Sequence, residues 1–77
     1  MNKDIAIIFN EIIRLLEIKG NSGFRINAYR KSINILNNLK TDILEIYNEK
    51  GLIGIRELGI GEKNAKKIEE YIKTTLR

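Results

Sequence analysis

Gly59-Ile60-Gly61 is followed at once by Glu62-Lys63-Asn64-Ala65-Lys66-Lys67-Ile68, an order of residue types that suits anion chemistry. Glycine lets the backbone adopt unusual φ/ψ and lets a partner approach it closely. A helix beginning directly after such a pair aims unpaired N–H groups, and the positive end of its dipole, at whatever lies beyond. On a wheel of about 100° per residue, Lys63, Lys66 and Lys67 fall opposite Ala65, Ile68, Ile72 and Leu76. The three amines then face solvent or a ligand, while Ile60 plugs into the core and fixes the angle of the hairpin. A plain interhelical turn with a solvated lysine face would use the same residue types. The lysine face, however, starts within one turn of the glycines, and this favours a nucleic-acid phosphate.

The charge distribution points the same way. The 77 residues carry a formal net charge of +4. Residues 1–19 are balanced, and residues 20–40 contain Arg25, Arg30, Lys31 and Lys40 with no acid. Residues 41–58 are slightly acidic, and residues 59–77 are basic again. Two separated basic segments in one small domain suggest a polyanion footprint. There is no Cys and no His, so neither a disulfide nor a Cys/His zinc site can support the fold. At this length a single core is only just sufficient, and stability must come from apolar packing. No apolar run is long enough for a signal peptide or a membrane span, and the expected setting is intracellular, in cytoplasm, nucleoid or nucleus.

The elements that would position these residues read as helices. Ile5, Ile8, Phe9, Ile12, Leu15 and Leu16 recur with helical spacing, with Asn2 as N-cap and Gly20 as a left-handed end. A second helix starts near Asn21-Ser22-Gly23 and runs to about Asn38, with Phe24, Ala28, Ser32, Ile35, Leu36 and Leu39 on its buried face. Thr41 is expected to cap a short helix from Asp42 to about Asn48, which Gly51 breaks. Leu52 to Leu58 forms one or two turns, and the last helix runs from Glu62 to about Thr75. No strand alternation competes, and proline is absent. The expected fold is all-α, a single-domain four-helix bundle with a short extra turn, spanning residues 1–77.

Leu58-Gly59-Ile60-Gly61-Glu62-Lys63-Asn64-Ala65-Lys66-Lys67-Ile68 resembles the second half of a helix-hairpin-helix DNA-binding motif, and Leu52-Ile53-Gly54-Ile55-Arg56-Glu57 supplies its first helix. Ile12-Ile13-Arg14-Leu15-Leu16-Glu17-Ile18-Lys19-Gly20 and Phe24-Arg25-Ile26-Asn27-Ala28-Tyr29-Arg30-Lys31-Ser32 extend the resemblance upstream. Together they look like the amino-terminal domain of family X DNA polymerases, over nearly the whole chain. The chain departs from that pattern at Leu58, where proline is frequent, at Phe24, which replaces a histidine, and at Lys66, which replaces an acid.

The resemblance implies DNA as partner, with gapped or 5′-phosphorylated ends preferred, and a role in DNA repair. Polymerase catalytic domains cannot fit in 77 residues, so no polymerisation is expected. Lys63 and Arg25 fall on phosphate-contacting positions, Tyr29 and Arg30 on positions of the same residue types, and Lys67 on the family's Schiff-base nucleophile. The DNA-binding set implied is Gly59, Ile60, Gly61, Lys63, Lys66, Arg25, Tyr29 and Arg30. A 5′-deoxyribose-phosphate lyase is the second reading, in which Lys67 attacks the sugar aldehyde and β-elimination follows. The resemblance also implies K⁺ or Na⁺ at the hairpin, held by backbone carbonyls of Glu57 and Ile60, and no required cofactor. A third reading is a protein-docking helical module, serving repair proteins or a polymerase catalytic domain through an exposed stripe of Ile7, Ile13, Ile26 or Ile33. Enlargement of the core by those four residues is the simpler expectation.

Overall fold

The computed structural model describes residues 1–20 and 23–76. It consists of α1 (Asn2–Ile18), α2 (Gly23–Asn38), α3 (Ile43–Glu57) and α4 (Glu62–Thr75), with no strand among the described residues. Of the proposed start of α2, Asn21 and Ser22 lie outside the described residues. Helix α1 lies along α2, α3 lies along α4, and α2 also meets α4. That last approach brings the two basic segments together.

Helix α1 buries Ile5, Ala6, Phe9, Ile13 and Leu16, and α2 buries Ile26, Tyr29, Ser32 and Leu36. Ile43, Ile55, Ile60, Ala65, Ile68 and Ile72 complete the core. Two expected faces are therefore rotated. Ile8 and Leu15 stay exposed, because α1 has more apolar residues than one face can hold and packing selects the Phe9–Ile13 row. Phe24 and Ala28 are exposed as well. Tyr29 turns inward instead, its ring edge-on to Phe9 at 5.1 Å and 76°, and this swings Phe24 outward. Leu76, expected on the buried face, lies past the end of α4 and is exposed.

Gly51 breaks α3 as expected, with φ 68° and ψ −153°, so two helical pieces follow one another with a kink. The second piece is the short extra turn, and it ends in the Gly59 hairpin. Gly59 has φ 101°, a conformation a side chain would strain. Gly20 ends α1 with φ 68°.

Two caps differ from expectation. Asp42, not Thr41, is the N-cap of α3, its Oδ1 accepting from the Leu44 N–H at 2.9 Å. Asn2 lies inside α1, whose N-cap is Met1. Its amide crosses to α3 instead: Oδ1 accepts from the Ile43 N–H at 2.7 Å and Nδ2 donates to the Thr41 carbonyl at 3.1 Å. The Met1 ammonium donates to Asp42 Oδ2 at 2.9 Å. The Leu44 N–H and that ammonium hold the Asp42 carboxyl below the usual range, and Asp42 in turn raises the Met1 amine.

Candidate nucleic-acid interface

Helix α2, the hairpin and the first turns of α4 enclose an open groove of about 690 Å³. One wall comes from α2 with Phe24, Arg25, Ala28, Tyr29, Lys31 and Ser32. The other comes from Gly59, Gly61, Lys63, Asn64, Lys66, Lys67 and Glu70. Five cationic side chains thus face one carboxylate.

The spacing between the walls is set by a buried polar bridge. Asn64, 7% exposed, donates through Nδ2 to Ser32 Oγ at 3.0 Å and to the Ala28 carbonyl at 3.3 Å. Ser32 Oγ in turn donates to the Ala28 carbonyl at 3.1 Å. These bonds tie the start of α4 to the middle of α2 and satisfy both side chains out of water.

Ion pairing distinguishes the groove cations from most of the cations elsewhere on the described surface. Arg14, Arg30, Lys50, Arg56 and Lys73 each have a carboxylate within 4 Å. Among the described residues, Arg25, Lys31, Lys63, Lys66 and Lys67 have none, nor do Lys3, Lys19 and Lys40. The groove cations therefore keep their charge available to an anion. The N-terminus of α4 is open in the same sense. Its N-cap is Gly61, which offers no side-chain acceptor to the first-turn N–H groups. A Cβ on Gly61 would meet nothing within 4 Å, and its φ of −63° is ordinary for any residue. The fold does not require glycine there; its effect is to leave the approach to those N–H groups clear.

Of the residues singled out in the sequence, Arg25, Tyr29, Gly59, Gly61, Lys63, Lys66 and Lys67 line this groove. Tyr29 does so from the core, at 4% exposure. Ile60 is buried, so its side chain braces the hairpin and only its backbone can meet a ligand. Arg30 points elsewhere, pairs with Glu17 at 3.3 Å and lines a separate shallow cavity with Asn10, Lys31, Ile33, Asn34 and Asn37. The Glu57 carboxylate pairs with Lys50 at 3.4 Å. Lys31, Asn64, Glu70 and the outward Phe24 were not foreseen as groove residues. A wheel of α2 does place Phe24, Ala28 and Lys31 on one arc, and Glu70 falls between Lys66 and Lys67 on α4. Asn64 had a weaker signal, a small polar residue beside the Ala65–Ile68 stripe.

Fold and groove together define a small all-α domain with an open, cationic groove. A family model described as the helix-hairpin-helix domain matches residues 1–76, and the chain belongs to that family. Searches of curated proteins and of solved structures returned no match. The helix-hairpin-helix domain generally implies DNA binding without sequence preference. Among the described residues no helix is long and apolar enough to cross a membrane.

Proposed function

We propose that this chain is a family-X-type amino-terminal domain that grips DNA ends or gaps through a 5′-phosphate seated in the α2–α4 groove, in the service of DNA repair. The observation that carries the reading is the convergence of five cations without carboxylate partners on the uncapped N-terminus of α4. A terminal phosphate is more charged than an internal one and reaches into a concave site that a continuous duplex would only graze. Lys63, Lys66 and Lys67 approach it from α4, Arg25 and Lys31 from α2, and the Gly61 hairpin leaves the N–H groups accessible. Phe24, 87% exposed at the rim, offers an aromatic face to an unpaired base beside the gap.

Fluorescence anisotropy with gapped duplexes that differ only in the 5′-phosphate tests this. Removal of the phosphate is expected to weaken binding about tenfold or more, with affinity falling steeply as salt rises. Equal affinity for both duplexes would refute end recognition, and salt-insensitive affinity would refute phosphate binding altogether.

Lyase chemistry is a second reading, favoured by the exposure of Lys67 within the groove without a carboxylate partner. In it the Nζ adds to the C1′ aldehyde of an incised abasic site and water leaves to give an imine. Loss of a C2′ proton then breaks the C3′–O bond and leaves a 5′-phosphate on the DNA. Borohydride would reduce that imine and trap a covalent complex. Trapping by the parent chain but not by Lys67→Ala is the expected result for a lyase; no trapping at all leaves the chain a binding module. A K⁺ or Na⁺ ion at the hairpin would be held by the Glu57 and Ile60 carbonyls, which accept no hydrogen bond among the described residues. When bound it would add positive charge beside a DNA phosphate.

A further inference from the structure

Helix α1 is apolar on two faces. Opposite the buried row, Ile7, Ile8, Leu15 and Ile18 are 63, 39, 56 and 79% exposed. At about 100° per residue, Ile7, Glu11, Arg14 and Ile18 form one row some 60° wide, and Leu15 and Ile8 flank it on one side. Their 4-3-4 spacing keeps them on one side of the helix where a second helix can lie, with apolar residues at the ends of the row and charges at its centre. Single exposed apolar residues are ordinary, but two apolar pairs on one helix face, Ile7 with Ile8 and Leu15 with Ile18, set either side of the Glu11–Arg14 ion pair, suit an interaction surface. The strip is separate from the DNA groove, which is lined only by α2, the hairpin and α4.

The order of chemistry along the row identifies what covers it. From Ile7 to Ile18 it reads apolar, acidic, basic, apolar, and reversed it is its own complement. We propose that a second copy of this chain docks here, α1 against α1 and antiparallel, about a two-fold axis between Glu11 and Arg14. Ile7 then meets the second copy's Ile18 at each end, and Glu11 meets the second copy's Arg14 twice at the centre. A parallel pairing would set Glu11 on Glu11 and Arg14 on Arg14, which like-charge repulsion disfavours. In the single chain Glu11 and Arg14 already pair at 3.5 Å while 63 and 73% exposed. Closing the face exchanges one such pair in each copy for two between the copies, so Glu11 and Arg14 both stay matched.

Four apolar side chains per copy place the contact in the small, reversible class, with dissociation expected in the micromolar range or weaker. Both grooves stay open in the pair, so one dimer can hold two DNA segments with added avidity. The inference stands on α1 alone and is tested without DNA.

Sedimentation velocity over a concentration series into the high micromolar range is the experiment. The parent chain should shift reversibly from one copy to two. Glu11→Arg and Arg14→Glu should each weaken association about tenfold or more, since each sets like charges face to face. The double variant Glu11→Arg/Arg14→Glu, and an equimolar mixture of the two single variants, should both restore it. Ile18→Asp should abolish association with unchanged melting, as that side chain is mostly in water. Circular dichroism confirms that each variant remains folded. A chain that stays single at every concentration leaves the strip to some other protein and overturns the proposal. Dimers indifferent to the charge swaps use another face and overturn it equally.

Discussion

Two helix N-termini in this molecule meet the same physical problem in opposite ways. At α3 the first-turn N–H groups are taken up internally, Leu44 by Asp42 and Ile43 by the Asn2 side chain, and the Met1 ammonium balances the Asp42 charge. At α4 the N-cap is a glycine with no side chain to offer, and the neighbouring lysines have no carboxylate within 4 Å. First-turn N–H groups with no partner inside their own helix, and a positive dipole end, exist at both sites. One end has been closed and contributes to the fold; the other is left open to an external anion. The difference separates a stabilising cap from a binding site better than lysine content does, since paired and unpaired cations occur on the same small surface.

The largest effect should come from reversing the charge on the open end. Lys63→Glu with Lys66→Glu removes two of the phosphate contacts proposed for α4 and adds repulsion. DNA affinity should fall on the order of 100-fold, and the slope of log affinity against log salt should shrink by about 1.5 to 2. Stability should move by no more than about 0.5 kcal/mol, because both side chains are exposed. Anisotropy titrations at several salt concentrations, with a urea melt of the same protein, measure both. An unchanged salt slope would place the DNA elsewhere.

Asn64→Ala acts on stability and binding together. It removes the donor that ties α4 to Ser32 and Ala28, in a site almost closed to water. A loss of about 1–3 kcal/mol in stability is expected, with weaker DNA binding as the walls lose their spacing. If affinity is unchanged while stability drops, the bridge serves the fold alone.

Gly61→Asp would convert the open end into a copy of the closed one. Aspartate is a strong N-cap, and the backbone at φ −63°, ψ 158° accepts it. Stability should therefore hold or rise by up to about 1 kcal/mol, while DNA affinity falls about tenfold as the carboxylate occupies the N–H groups. Opposite signs on the two measurements are the signature of a site. If both fall, Gly61 was structural after all.

Where this contrast was legible in the sequence is itself instructive. The Gly59–Gly61 hairpin, the bounds of α4 and the lysine arc follow from local rules, and the structure has them as read. Gly51 and Gly20 were readable as helix breaks for the same reason. What failed depended on tertiary choice. Ile5-Ile8-Ile12 and Ile5-Phe9-Ile13 both satisfy helical spacing, and only the packing of Phe9 on Tyr29 selects the second. The same choice puts Phe24 in the groove and buries Ile13 and Ile26, which had been weighed as part of an outer stripe; Ile7 alone of those four is largely exposed. Asn2 bonds α3 forty residues away, a partnership no local pattern announces. The candidate site was the more readable region because its residues act locally, one hairpin and one helix face at a time. Its second wall, α2, required the fold.

The smallest effect belongs to the closed end, and its pH dependence has a definite sign. The Leu44 N–H and the Met1 ammonium lower the Asp42 carboxyl, so its stabilisation is present above about pH 4 and is lost as pH falls through the lowered value. The Met1 amine is raised, first by its hydrogen bond to Asp42. Its share is therefore complete below about pH 8 and is lost as pH rises through the raised value. Asp42→Asn keeps a good cap for α3 but removes the charge. Melting temperature should drop slightly at neutral pH, and both the acid and the alkaline edge of its pH profile should flatten. DNA affinity should not change, because this corner lies outside the groove. A variant that lowers DNA affinity as much as stability would mean that the two N-termini are coupled, and that the division between a closed, stabilising end and an open, binding end does not hold.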